Sequence, residues 1–235
     1  MLLPKTDCVL SFAGQTYDAY PLMLQAANAI ETFNKLKTRS TDLADLKSHL
    51  LRVFNRSREF ISNLPRGQKL PDPADASFLL SGYSWRAKQF RIWKLHFDLS
   101  LQKYTFRPTH DWPGQSGQEA KMIAFVGDDP AIAQAKNMLV DRLRADDRLV
   151  SGGLNMEPFY VLCDIIRSQA FPSVGGAPQL VKIYEHMNVH PFGVYWPDRA
   201  GNVSLLGRPL MPYEKPPSGI IDPDDPRTVD RPSRV

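Results

Sequence analysis

Cysteine is scarce in this chain: Cys8 and Cys163 are the only two among 235 residues. Each sits in an apolar run, so the pair reads as buried free thiols and not as a disulfide framework. No stretch of about 18 apolar residues occurs, which argues against a membrane-spanning helix. The opening Met1-Leu2-Leu3-Pro4-Lys5 is too short for a signal peptide. There is no phosphate loop, no dinucleotide fingerprint and no internal repeat. Lys and Arg form no cluster on one element; Arg52, Arg56 and Arg58 come nearest and share their stretch with Glu59. With 29 basic and 25 acidic residues, the net charge of +4 is spread over a mixed surface, and nucleic-acid binding is not expected. The five histidines (His49, His96, His110, His186 and His190) bring no three ligands together by spacing, so neither a metal nor a cofactor is expected. These absences point to a reduced, soluble, cytoplasmic protein.

What remains is ordinary globular material, 43% hydrophobic and 23% charged. Cys8–Ala13 reads as a buried strand ending at Gly14. Thr16 is expected to cap a helix running from Tyr17 to Lys37, with Leu22, Ala26, Ile30, Phe33 and Leu36 on one face. Ser40 or Thr41 is expected to cap a second helix, carried by Leu43, Leu46, Leu50, Val53, Phe54, Phe60 and Ile61. Ser77–Ser81 and Phe90–Phe97 read as a hairpin joined through Gly82–Lys88. Lys121–Val126 reads as a strand ending at Gly127. Asp128-Asp129-Pro130 opens a third helix, where capping accounts for the adjacent carboxylates. Asn155 is expected to cap a fourth, Glu157–Ala170. Strand-like pieces follow at Gln179–Glu185, Phe192–Trp196 and Val203–Leu206. Residues 212–235 hold six of the 20 prolines and read as an extended, charged tail outside the core. The expected organisation is therefore one layered α/β (α+β) domain over residues 1–211, followed by that tail.

Four local patterns resemble the proteasome β-type subunits. Phe12-Ala13-Gly14-Gln15-Thr16-Tyr17-Asp18-Ala19 is similar to that family's strand–glycine–helix junction. Phe78-Leu79-Leu80-Ser81-Gly82-Tyr83 resembles the strand entering its central hairpin. Phe125-Val126-Gly127 before a helix resembles a second strand–glycine–helix step, and Ser173-Val174-Gly175-Gly176 its Ser-Gly-Gly turn. The resemblance covers residues 7–186. It implies a four-layer αββα sandwich with antiparallel sheets, incomplete at the N-terminus.

The resemblance also implies a chemistry. These are N-terminal-nucleophile hydrolases, in which a terminal threonine attacks a peptide carbonyl while its own α-amine takes the proton. Seven residues precede Cys8, Thr6 abuts the strand, and Lys5 is offset from the family's lysine. The chain as written is therefore expected to lack the nucleophile and to be inactive. Two catalytic positions carry over. Gly14 matches the glycine whose amide contributes to the oxyanion hole, and is equally readable as a turn glycine. Ser173 matches the serine that holds the nucleophile's amine. Val174 is inserted into that motif, and Gln169-Ala170-Phe171-Pro172 stands where the family has an aspartate. The implied function is a subunit of a self-assembling threonine peptidase, associating with itself in a ring and acting on peptide or protein substrates. The alternatives are a catalytically silent ring or scaffold subunit, or an unrelated soluble binding domain. Trp85, Trp93, Trp112 and Trp196 are expected in the core or at interfaces. His110-Asp111-Trp112 reads as surface, and Ser151-Gly152-Gly153 lacks the setting of a nucleophile elbow.

Overall fold

Period-two burial along Ala76–Ser84, where every second side chain is buried, marks the centre of the first sheet. The computed structural model describes residues 8–38, 40–109, 121–150, 152–185, 188–225 and 229–230. It is a mixed α and β protein with five helices among those residues. The chain forms two compact units. The first takes the described residues of Met1–His110, Ile123–Gly127 and Ile183–Val189. The second takes those of Asp111–Met122, Asp128–Lys182 and His190–Val235. The span 1–211, expected as one domain, contributes to both units, and the described residues beyond 211 fall in the second.

In the first unit, β1 (Cys8–Gly14), β2 (Ala76–Ser84), β3 (Gln89–Asp98) and β4 (Lys103–Pro108) form a sheet in that order, antiparallel throughout. The expected hairpin is present, with Lys88 at φ +52° in its turn. α1 (Thr16–Thr32), the short α2 (Asn34–Lys37) and α3 (Leu43–Glu59) connect β1 to β2. The expected first helix is thus broken at Phe33, whose backbone is extended. α1 packs on α3 and both cover one sheet face. Their buried residues Leu22, Ala26, Ile30, Leu46, Leu50 and Phe54 share one core with Leu10, Phe78, Leu80, Trp93 and Leu95. Phe54 and Phe78 lie 5.0 Å apart, and Tyr104 meets Phe54 edge-on at 5.5 Å.

Two side chains tie the helices to the sheet. Asn55 of α3 donates to the Tyr104 carbonyl (3.0 Å) and accepts from its amide (2.6 Å), so it substitutes for a strand beside β4. Asp42, not Ser40 or Thr41, caps α3, accepting from the Ala44 amide at 3.0 Å. The same buried carboxylate accepts from the Ser84 hydroxyl and from the Arg86 amide at the hairpin. Thr16 makes no cap either, since Gln15 holds that position without a side-chain bond.

In the second unit, α4 (Asp129–Ala145) packs against α5 (Glu157–Ser168). The residue before α5 is Met156, and Asn155 contributes its amide to Glu157 (2.6 Å) instead of a side-chain cap. The second sheet has six strands. β5 (Leu180–Tyr184) pairs with β6 (Asn188–Trp196). The remaining order is β10 (Val229–Asp230), β9 (Ile220–Ile221), β6, β7 (Asn202–Leu205), β8 (Arg208–Pro209). β6 and β7 are antiparallel, whereas β6 and β9 run parallel, Gly193 facing Ile220 and Val194 facing Ile221. Phe159, Cys163, Val194 and Ile221 form its core. Residues 220–221, expected in a tail, are therefore part of the sheet, because two isoleucines amid prolines supply the apolar area that a strand needs. Lys121–Val126 differs in the other direction: of the six, only Met122 makes a bridge. No helix of the described residues is long and apolar enough to cross a membrane.

Candidate functional site

Gly14 ends β1 at φ +105°, a region that a side chain rarely enters. Gln15 then donates its amide to the Asp75 carbonyl (2.6 Å), and the Asp75 amide donates to the Asp18 carboxylate (2.9 Å). A β-carbon at Gly14 would lie 2.3 Å from the Asp75 oxygen. The junction leading into α1 is thus closed by backbone on one side, and the turn role of Gly14 has a steric cause.

Ser173 lies beyond the end of α5. Gln169 closes that helix at φ +53°, and the Val174 amide then donates to the Phe171 carbonyl (3.0 Å) in a tight turn. The turn borders a groove of about 440 Å³ lined by Phe171, Pro172, Val174, Gly175, Gly176 and Trp196 among others. Ser173 itself is exposed and does not line the groove. Gly14 falls in the first unit and Ser173 in the second. Lys5, Thr6, His110, Asp111, Trp112, Ser151 and His186 lie outside the described residues. The described His190 faces the Ser218 hydroxyl at 3.3 Å.

A larger cleft of about 750 Å³ opens between α5 along its length from Glu157 to Arg167, Arg142 of α4 and the chain at Pro223–Asp225. Its wall is charged and internally paired. Arg142, in the last turn of α4, meets Asp164 of α5 at 2.9 Å. Arg167 is held by both oxygens of Asp224 (2.7 and 3.0 Å), donates to the Pro197 carbonyl (2.6 Å) and stacks 5.3 Å over Trp196. Buried Glu157 pairs with Arg148. Burial pushes the Glu157 carboxyl up, but backbone amides and the Arg148 guanidinium outweigh it and hold it below its ordinary value. Cys163 also borders the cleft, and burial pushes its thiol up to about 12. The cleft therefore offers paired charge and a protonated thiol, an arrangement suited to holding chain segments together, with no activated nucleophile. Alkylation checks this. At pH 8, Cys163 is expected to react with iodoacetamide at least tenfold more slowly in the folded chain than in urea. Equal rates would refute it.

Sequence reasoning missed these ion pairs. Arg167 and Asp224 stand 57 positions apart, and no local motif joins them. Among the described residues no three His, Cys, Asp or Glu side chains converge as metal ligands. Neither a scan of protein-family models nor a search of curated proteins yields a match for this chain.

Proposed function

We propose that this chain is a subunit of a self-associating complex built on the proteasome-like N-terminal-nucleophile hydrolase fold. The observation that carries the reading is the order of elements. A strand ends at a glycine, two main helices follow, three antiparallel strands come next, then two packed helices and a second sheet. The positive φ of Gly14 at the first strand–helix junction supports it locally. On this reading the fold is a four-layer αββα sandwich, and the chain acts within a ring of copies. A cytoplasmic setting accords with two free, buried thiols.

Within that reading, a catalytically silent subunit has the better support. Val174 interrupts the Ser-Gly-Gly turn, Pro172 stands in place of an acidic neighbour, and Ser173 is exposed beside its groove. A hydroxyl so placed lacks the positioned partners that amine-assisted acyl transfer needs. Electron microscopy and light scattering on the purified chain test assembly, and a closed multi-subunit particle is the expected result. Fluorogenic peptides and a threonine-directed electrophile test the chemistry, and neither turnover nor labelling is expected. A monomer would remove the assembly reading, while labelling or turnover would remove the silent one and leave the peptidase.

A further inference from the structure

Within the second unit, the chain beyond Glu214 is fastened differently from the helices it covers. Arg208 grips both oxygens of Glu214 (2.7 and 2.8 Å), which pins the chain at that point. From Ile220 to Asp225 it lies against β6 and α5. Its strand pairing with β6 is two residues long, Ile220 on Gly193 and Ile221 on Val194. Ile221 and Pro223 are buried, and Ile221 packs with Phe159, Cys163 and Val194. Two further attachments are ionic. Arg167 of α5 holds Asp224 by both oxygens. Arg199, in the turn after β6, lies 3.5 Å from Asp222 and 2.8 Å from Asp230. The side chains of Arg167, Asp224 and Arg199 are 32%, 56% and 55% exposed, so water and salt reach both pairs. α4 and α5 need neither pair to stay together. They pack on one another and are joined by Arg142–Asp164, and Glu157 is held by Arg148.

We propose that Ile220–Asp225 is a detachable strap. The Arg167–Asp224 and Arg199–Asp222 pairs latch it, and its release opens the face of α5 at Cys163 while α4 and α5 stay folded. A strand pairing of two residues is too short to hold itself, so the latches decide whether the strap is closed. Solvated ion pairs are screened by salt, which makes the closed state sensitive to ionic strength. A segment with few buried residues opens at far less cost than two packed helices, so it is the low-stability part of this unit. Its opening uncovers the apolar Phe159, Cys163 and Val194, a surface that the closed chain does not present. The strap is independent of the assembly reading and holds whether or not the chain self-associates.

Alkylation of Cys163 by iodoacetamide in the full chain, followed by peptide mass spectrometry, reads the opening, and hydrogen exchange on the same proteins locates it. Asp224→Asn and Arg199→Gln are each expected to raise the Cys163 rate about fivefold or more. The amides of Ile221 and Asp224 are expected to lose protection in both variants, while those of α4 and α5 keep theirs. Arg199 does not line the cleft, so a rise in Arg199→Gln reports movement of the strap and not a changed charge beside the thiol. The wild-type rate is expected to rise about threefold between about 0.05 and about 0.5 M NaCl. A Cys163 rate unchanged in either variant, or flat with salt, would overturn the latch. A rise accompanied by deprotection of α4 and α5 would overturn the strap, because the pairs would then hold the whole unit.

Discussion

Asp42→Ala is expected to destabilise the first unit by about 3–5 kcal/mol and to lower its melting temperature by roughly 10 °C. Three bonds converge on this one buried carboxylate. Loss of the cap on the Ala44 amide accounts for about 1 kcal/mol. The Ser84 hydroxyl, bonded at 2.9 Å, and the Arg86 amide, at 3.1 Å, are then left without their acceptor, at about 1–2 kcal/mol each. Asp42→Asn keeps one acceptor oxygen and is expected to lose less than half as much. Acid titration gives a second measure. Burial raises the Asp42 carboxyl, but the Ala44 and Arg86 amides, the Ser84 hydroxyl and the Arg86 charge outweigh it, so its pKa falls below the ordinary 3.8. A depressed carboxyl contributes stability that is present above its unfolded value and lost as pH falls through its folded value. The wild type is therefore expected to lose stability below about pH 4 more steeply than Asp42→Asn. Urea melts of the three proteins across that range check it, and coincident melts would refute the role given to Asp42.

The same residue shows what the sequence carried and what it hid. The apolar spacing of Leu43, Leu46, Leu50 and Phe54 is a local property, and it placed α3 and its buried face correctly. The choice of cap was not local. Ser40, Thr41 and Asp42 are all competent N-caps, and the one used is the one that also meets Ser84 and Arg86, more than 40 positions away. Strands behave likewise. Ala76–Ser84 alternates and pairs on both sides, so its reading needed no partner. Lys121–Val126 is as apolar as a strand, yet whether such a run becomes one depends on an available edge, which composition does not reveal. Ile220-Ile221 is the converse, a pair too short to register, made a strand by its parallel neighbour in β6. For the site, the turn at Ser173 and the positive φ of Gly14 were legible because both are backbone events at glycine-bearing junctions. The paired charges of the large cleft were not, because each pair joins separate elements.

Among the described glycines, Gly14→Ala is expected to be the most damaging, at about 3–5 kcal/mol. Two effects add. At φ +105° an L side chain costs about 1–3 kcal/mol. The added carbon would also sit 2.3 Å from the Asp75 oxygen, and relief requires moving backbone, since no flexible side chain can yield there. Any such movement stretches the 2.6 Å bond from the Gln15 amide to that same oxygen. The consequence reaches function. If the assembly proves to be a peptidase, loss of activity in Gly14→Ala would follow from misfolding alone and would assign nothing to the Gly14 amide. Hydrogen exchange separates the cases. Structural failure deprotects the amides of β1, α1 and β2 together, whereas loss of an oxyanion donor leaves them protected and lowers turnover only. The steric argument predicts the first outcome. Unchanged exchange and an unchanged melting temperature would refute it and return Gly14 to the chemistry.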